Sequence, residues 1–376
     1  MAPGIALSSA RSCAGGVAYF ECFKGNHRVI DFTNHNTGLG VWRRRRVLRA
    51  PQIWRLWLWR RSRVDLGHLA GIVAAWRRGA GFCPVSGRSV GLTSFTIRHL
   101  TTYRYQRPVS LGLHRLQVRP RESRDIQING FDIVISPAAT INWVNDVFGN
   151  AIACATFSAP TDTLKIESRV TLEHKAVPWP VFAIAACALS FPFLYSQDEK
   201  TDLAALLVPQ FADPQRKLLA WVQGFVRGAS TDTLSLLKDI NAAISSWIIY
   251  EARDDEGTQS PLVTLDRRLG SCRDIAVLMI EAVRWLGFGA RIVSGYLIRR
   301  AQAAANSGAG STHAWVEIYL PGAGWITFDP TNRTIGDFSL VPVSVARDIK
   351  QAVPVSGSFN GTPGDFLSMD VDVSVY

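Results

Sequence analysis

The strongest constraint on this chain is a change of hydrophobic period at a cluster of prolines. Over residues 94–98, 103–105, 126–135, 140–144 and 165–172, apolar and polar residues alternate, the two-residue repeat of half-buried strands. Arg107-Pro108, Arg119-Pro120, Ser136-Pro137 and Phe148-Gly149-Asn150 punctuate these stretches as turns, so residues 93–177 are expected to form a β-sandwich-like domain. Past Pro178, Pro180 and Pro192 the repeat lengthens to that of helices, over 202–211, 214–227, 233–249 and 274–286. In the last of these, Ile275, Leu278, Met279, Ala282 and Leu286 make one apolar stripe, which Gly287 or Gly289 ends. The fold class is therefore α+β, a β domain followed by a core of helices and strands over 178–345. Residues 346–376 are expected as a C-terminal β-rich tail packing on that core.

Charge is segregated along the chain. The net charge is +11, but residues 1–92 hold 15 of the 41 Lys and Arg against 3 of the 30 Asp and Glu. The remaining 26 basic and 27 acidic residues make the body nearly neutral, which argues against a nucleic-acid partner, since phosphate binding needs basic residues clustered on the folded part. The head itself, with Arg43-Arg44-Arg45-Arg46 and aperiodic Trp-Arg crowding over 54–61, is expected to be poorly ordered or adventitious. A basic aromatic arm for an anionic membrane or RNA is the alternative.

Three of the six cysteines, Cys154, Cys187 and Cys272, lie in the body, with no CxxC pair and no disulfide framework. A reducing, cytoplasmic setting follows, and Cys154 and Cys187, each among alanines, are expected as small core residues. The N-terminus has no signal-peptide layout. Residues 176–197 carry no charge before Asp198, but only eleven residues separate Pro180 from Pro192, too few to span a bilayer as one helix. A buried segment is expected, with no membrane span.

Cys272 stands at the start of the helix expected over 274–286, where unpaired backbone N–H groups and the helix dipole favour a thiolate. Downstream, residues 290–298 read as a strand, 301–311 as a flexible loop, and two further strands are joined by Pro321-Gly322-Ala323-Gly324. His313, Trp315, Glu317 and Tyr319 share a face of the first, and Trp325, Thr327 and Asp329 a face of the second. His313 is thus the candidate base and Asp329 the group that orients its ring. For the two to lie directly opposite, paired numbers must add to 642, which places a five-residue loop at 319–323.

The passages Gly270-Ser271-Cys272-Arg273-Asp274, Thr312-His313-Ala314-Trp315-Val316-Glu317 and Gly324-Trp325-Ile326-Thr327-Phe328-Asp329-Pro330-Thr331-Asn332 resemble the transglutaminase-like superfamily in its bacterial branch. Residues 265–270 and 284–296 extend the likeness. Tyr103-Arg104-Tyr105, residues 113–121 and Asp146-Val147-Phe148-Gly149-Asn150 resemble the β domain that precedes the core in this branch. The resemblance, covering 94–350, implies a papain-like core with Cys272 as nucleophile, His313 as general base and acid, and Asp329 as orienter.

The expected activity is cysteine-dependent acyl transfer on amide bonds of a peptide or protein. Hydrolysis by a peptidase or amidase is favoured, with protein-glutamine cross-linking and a non-catalytic peptide-binding module as alternatives. Trp315, Trp325 and Tyr250 are candidate substrate contacts, Tyr250 as an oxyanion donor, with packing the competing role for each. Asp274 is expected to fasten a neighbouring loop and Glu317 to brace a neighbour. The run Asp254-Asp255-Glu256 matches no dedicated metal loop, and no phosphate or dinucleotide fingerprint occurs, so neither metal nor cofactor is expected.

Overall fold

A computed structural model of the chain describes residues 17–22, 30–31, 93–175, 180–253, 257–298 and 308–376. Of the head, only two short strands fall among these. Val17–Cys22 runs antiparallel to Val355–Asn360, and Ile30–Asp31 pairs with it. The remainder of the head, the Asp254-Asp255-Glu256 run and most of the 301–311 loop lie outside the described residues.

The N-terminal domain is built around one long strand, β1 (Thr93–Leu111), whose two halves serve different sheets. Its first half lies between β6 (Thr161–His174) and a strand from the far end of the chain, β12 (Phe366–Val375). β3 (Ile126–Ser136) extends that sheet beyond β6. The register of β1 breaks between Arg104 and Val109, and Ser110 and Leu111 then pair with β11 (Val355–Asn360) in the second sheet. Pro108, read from sequence as a turn, sits inside this break, where a residue without an N–H costs the ladder nothing. The second sheet continues through β2 (His114–Leu116), β5 (Ala151–Phe157) and β4 (Ala139–Asn145). Tyr103, Tyr105, Leu116, Val118, Ala153, Ala155, Leu164, Ile166 and Phe359 fill the space between the sheets.

The C-terminal residues correct one expectation. They do pack on the core, Val373 and Val375 meeting Tyr296 and Ile298, but they are no separate tail: β11 and β12 complete both sheets of the sandwich, so that domain is assembled from the two ends of the described body. The reason is edge satisfaction: without β12, the first half of β1 would present an unpaired row of backbone groups.

In the core, antiparallel strands lie in the order β10 (Leu340–Ala346), β7 (Ala290–Ile298), β8 (Gly308–Leu320), β9 (Gly324–Asp329), with the two-residue strand Thr334–Ile335 on the outer edge of β9. Against one face packs α5 (Cys272–Trp285), its Ile275, Leu278, Met279 and Ala282 meeting Ile292, Ala314, Val316, Ile318 and Phe328. Helices α2 (Lys217–Gln223), α3 (Thr233–Trp247) and α4 (Pro261–Arg267) enclose α5 on its other sides. The expected single apolar stripe is therefore an understatement, since every residue from Arg273 to Arg284 is buried. Glu281 and Arg284, outside that stripe, pair at 2.9 Å in the interior. Glu281 also accepts Gln210 N–H and Phe211 N–H, and Arg284 donates to the carbonyls of Leu206, Ala290 and Arg347.

The helix expected over 202–211 ends early. α1 (Gln197–Leu203) passes into a single 3-10 turn at Ala204–Leu206. Helix α4 was missed, although Ser260-Pro261 supplies a capping hydroxyl followed by proline at the first helical position. The segment after Pro180 is half buried: Phe182, Ile184, Phe191 and Phe193 pack on the core while Val181 and Leu194 face water. In extended chain neighbouring side chains point opposite ways, so an irregular strap buries only some of its apolar residues. Cys187, in the same strap, is exposed, contrary to expectation, and Cys154 is partly buried in β5. No helix among the described residues is long and apolar enough to cross a membrane.

Phe359 has no exposed surface and its ring lies 5.0 Å from that of Tyr105, at the centre of the sandwich. Phe359→Ala is expected to cost about 3–5 kcal/mol, read as a lower midpoint in urea unfolding, because the large cavity would be lined by rigid strands.

Candidate active site

Ser271 and Asp274 set the start of α5. Asp274, fully buried, accepts hydrogen bonds from Ser271 N–H and Oγ at 2.8 Å. The same carboxylate accepts Gln259 N–H at 2.7 Å and an ion pair from Arg253 at 2.9 Å, so it fastens the preceding loop as the sequence suggested. With four donors on one carboxylate, the backbone before Cys272 has little freedom. Gly270 is required here by space, since a Cβ would come within 2.9 Å of the Asp274 Cβ.

The β8–β9 hairpin supplies the facing groups, in a register that corrects the expected one. Val316 through Leu320 pair with Phe328 through Gly324, so the turn is the three residues Pro321, Gly322 and Ala323, not a five-residue loop at 319–323. Continued by one residue, this register sets Asp329 opposite Trp315. The tighter turn does not misplace the carboxylate, because the shift from the expected register is even and leaves Asp329 on the His313 face. Diagonal neighbours on one face lie about 7–8 Å apart, within reach of a long side chain. His313 spans that offset with its outer nitrogen, Nε2 donating to Asp329 Oδ2 at 2.8 Å.

Pro330 follows Asp329 and has no N–H to extend the ladder, so β9 stops pairing with β8 at Val316. The edge of β8 at Ala314 is thereby left open to the start of α5. Cys272 occupies it, hydrogen-bonded to the His313 side chain and to the Ala314 backbone N–H. With Nε2 engaged by Asp329, Nδ1 is the imidazole nitrogen left to face the thiol.

The electrostatics couple the three groups. Burial alone would push the Cys272 thiol above its ordinary 9.0, but the His313 hydrogen bond and charge, the Ala314 N–H and the Arg273 charge outweigh it and hold the thiol below that value. Burial likewise opposes charge on His313, yet Asp329 on one side and Cys272 on the other raise it to about 10. For Asp329, burial is overcome by His313 and Asn332, and the carboxyl stays below its ordinary 3.8. Both shifts act in the same direction, toward a thiolate beside an imidazolium and away from the neutral pair.

Asn332 was quoted as part of a motif but given no role by sequence reasoning. Its amide donates to Asp329 Oδ2 at 2.7 Å, and the Thr331 and Asn332 backbone N–H groups donate to Oδ1 at 2.9 and 3.2 Å. The Asp-Pro-Thr-Asn turn carried that signal, since an Asx-type turn folds its own N–H groups back on the carboxylate.

The three candidate substrate contacts separate. Trp315 is only 1% exposed and its ring stacks on His313, so it supports the imidazole from within and offers no surface to a substrate. Trp325 pairs with Tyr319, six residues along β8 from His313 and roughly 20 Å away at the rise of a strand. Its ring lies 4.1 Å beneath the Arg291 guanidinium, which in turn pairs with Glu317 at 2.7 Å, so Trp325 is a packing group and Glu317 a brace. Tyr250 is 55% exposed and pairs, in a short parallel bridge, with Gly270, two residues before Cys272. It alone of the three is exposed. Among the described residues no cluster of His, Cys, Asp and Glu has the make-up of a metal site.

Comparison with known proteins agrees with this architecture. Residues 95–173 match the bacterial transglutaminase-like N-terminal region and residues 219–330 the transglutaminase-like superfamily. An uncharacterized protein of Mycobacterium leprae is 23% identical over 283 residues, covering 73% of this chain and 96% of its own length. A protein-glutamine gamma-glutamyltransferase of Pseudomonas aeruginosa is 32% identical over 91 residues, which cover 23% of this chain and 13% of that protein. The crystal structure of a candidate cysteine protease from Cytophaga hutchinsonii superposes with a TM-score of 0.57 at 20% identity, over 75% of this chain and 90% of that one. It shares the fold.

A sub-stoichiometric pulse of iodoacetamide at pH 6, read by intact mass, is expected to label Cys272 ahead of Cys154 and the exposed Cys187. In His313→Ala the burial that raises the thiol is no longer opposed by the imidazolium, so labelling at pH 6 is expected to fall at least about tenfold, one pH unit of thiolate fraction.

Proposed function

Because the chain belongs to the transglutaminase-like superfamily, we propose that it is a cysteine-dependent acyl-transfer enzyme acting on amide bonds of a peptide or protein. The observation that carries this reading is the continuous hydrogen-bonded series Cys272, His313, Asp329, with the thiol at a helix start and held below its ordinary value. In this reading the Cys272 thiolate attacks the amide carbonyl and a C–S bond forms. The tetrahedral oxyanion lies against the Cys272 backbone N–H, a donor at the start of α5 that has no intrahelical acceptor. The His313 imidazolium gives its proton to the leaving amine, the C–N bond breaks, and a thioester remains. The neutral imidazole then takes a proton from the second reactant as it attacks the thioester, and Cys272 leaves as thiolate. Asp329, anchored by Asn332, keeps the imidazole in the tautomer that leaves Nδ1 to do this work. Tyr250, exposed beside Gly270, is the candidate second contact to the substrate.

Water as second reactant makes the enzyme a peptidase or amidase, the reading favoured here, because Cys272 keeps partial exposure to solvent, where water competes for the thioester. Amine transfer is the second reading. It is favoured by the likeness over 91 residues to a protein named as a gamma-glutamyltransferase.

Incubation with a proteome-derived peptide library, with and without a primary monoamine, separates these by mass spectrometry. New amino termini or glutamine converted to glutamate support hydrolysis; incorporated monoamine supports cross-linking. Cys272→Ala is expected to lose at least about 10³-fold of either activity. Products of the same amount from Cys272→Ala would remove the proposal and leave a binding module.

A further inference from the structure

Behind His313 a row of side chains crosses the sheet. Val345, Val293 and Trp315 are direct neighbours on β10, β7 and β8, and the Trp315 ring stacks on His313 with centroids 6.0 Å apart. With Leu340 these residues form a small buried cluster of their own, on the face of the sheet away from α5. Phe148 packs on this cluster and does not belong to the catalytic sheet. It comes from the sandwich, in the turn between β4 and β5.

That turn is built to hold its place. Asp146 Oδ1 accepts the Phe148 and Asn150 N–H groups, both at 2.9 Å, and Gly149 supplies the left-handed φ of +73° that closes the turn. Asn150 has no exposed surface, and its amide docks on Val345 as the peptide of a neighbouring strand would. Val345 N–H donates to Asn150 Oδ1 at 2.9 Å, and Asn150 Nδ2 donates to Val345 O at 2.7 Å. Arg121 adds a second tie, donating to Asn150 Oδ1 and Phe148 O through its guanidinium and to Pro342 O through its backbone N–H. Trp315 has no slack on the side of β7, because Gly295, the partner of His313, leaves room for the indole only by lacking a Cβ: one would lie 2.8 Å from Cη2. The indole is therefore confined against the backbone of β7, within the cluster on which Phe148 of the sandwich packs; Phe148 also touches the main core.

We propose that Phe148 is a positioning residue for His313, clamped by Asn150 over the Val345–Val293–Trp315 row, so that the sandwich is a working part of the active site and not a separable binding module. The inference rests on the role given to His313 above. An imidazole that must meet Asp329 with one nitrogen and Cys272 with the other tolerates little drift, and a misplacement of about 1 Å at such a centre costs on the order of 10²-fold in rate.

The test uses the full chain and the pH dependence of Cys272 alkylation by iodoacetamide, with urea unfolding run alongside. Phe148→Ala is expected to move the profile of thiolate reactivity to higher pH and to lower the rate at pH 6 about tenfold per unit moved. Phe148→Leu, which keeps most of the apolar volume, should recover much of that loss, and it carries the comparison if the alanine variant does not fold. In a His313→Ala background, Phe148→Ala should add nothing further, because its effect passes through the imidazole. An unmoved profile in both Phe148 variants, or an equal loss with and without His313, overturns the inference. A His313→Ala profile identical to wild type overturns the proposed function itself, and this inference with it.

Discussion

Helix α5 is the member on which the rest of the structure depends, because it is buried from Arg273 to Arg284 and its first residue is the proposed nucleophile. A helix in that position must have each polar group satisfied without water, and two sets of contacts do this. At the start, Asp274 gathers Ser271, Gln259 and Arg253; near the end, Glu281 and Arg284 pair with each other and with four backbone segments. Loss of one member of such a buried pair typically costs about 3–5 kcal/mol, since the partner's charge is left stranded. The same contacts that make burial tolerable also fix where the Cys272 backbone lies, so stability and function draw on one set of residues.

The candidate site forms where two elements stop. β9 ends at Asp329 because Pro330 cannot extend the ladder, and α5 begins at Cys272 with donors that its own turns cannot reach. An open strand edge and an open helix end are individually unsatisfied, and together they hold a thiol, an imidazole and a carboxylate within hydrogen-bonding reach. Burial would normally keep the thiol protonated and the imidazole neutral, but each group supplies the charge that makes the other tolerable.

The sandwich and the core share more than a boundary. Ile97, Val170, Leu172, Val373 and Val375 of the sandwich pack with Tyr296, Ile298, Val341 and Val343 of the catalytic sheet in one continuous cluster. The chain enters the sandwich, builds the core, and returns to close the sandwich with β11 and β12, so neither region is complete without residues remote in sequence. This topology makes the turn at Asp146–Asn150 a fixed neighbour of the catalytic sheet, and a loop read from sequence as punctuation becomes a structural tie.

Much of this was legible in the sequence, for physical reasons. Strand alternation and helix period are local properties, so the β module, α5 and the hairpin could be read from short windows, and so could the thiol at a helix start with a base and an acid on two successive strands. The parity of the hairpin was legible too, since alternation assigns faces whatever the register. What the tertiary structure decided was everything that depends on which segments meet. It chose a three-residue turn and a diagonal His313–Asp329 contact, buried the polar side of α5, sent Trp315 beneath the imidazole and Trp325 to the far end of the hairpin, and gave Asn332 and Phe148 their places. None of these is encoded in a local period, because a tryptophan on a strand face carries the same pattern whether a substrate or another domain covers it, and only the partner that arrives from elsewhere in the chain settles which.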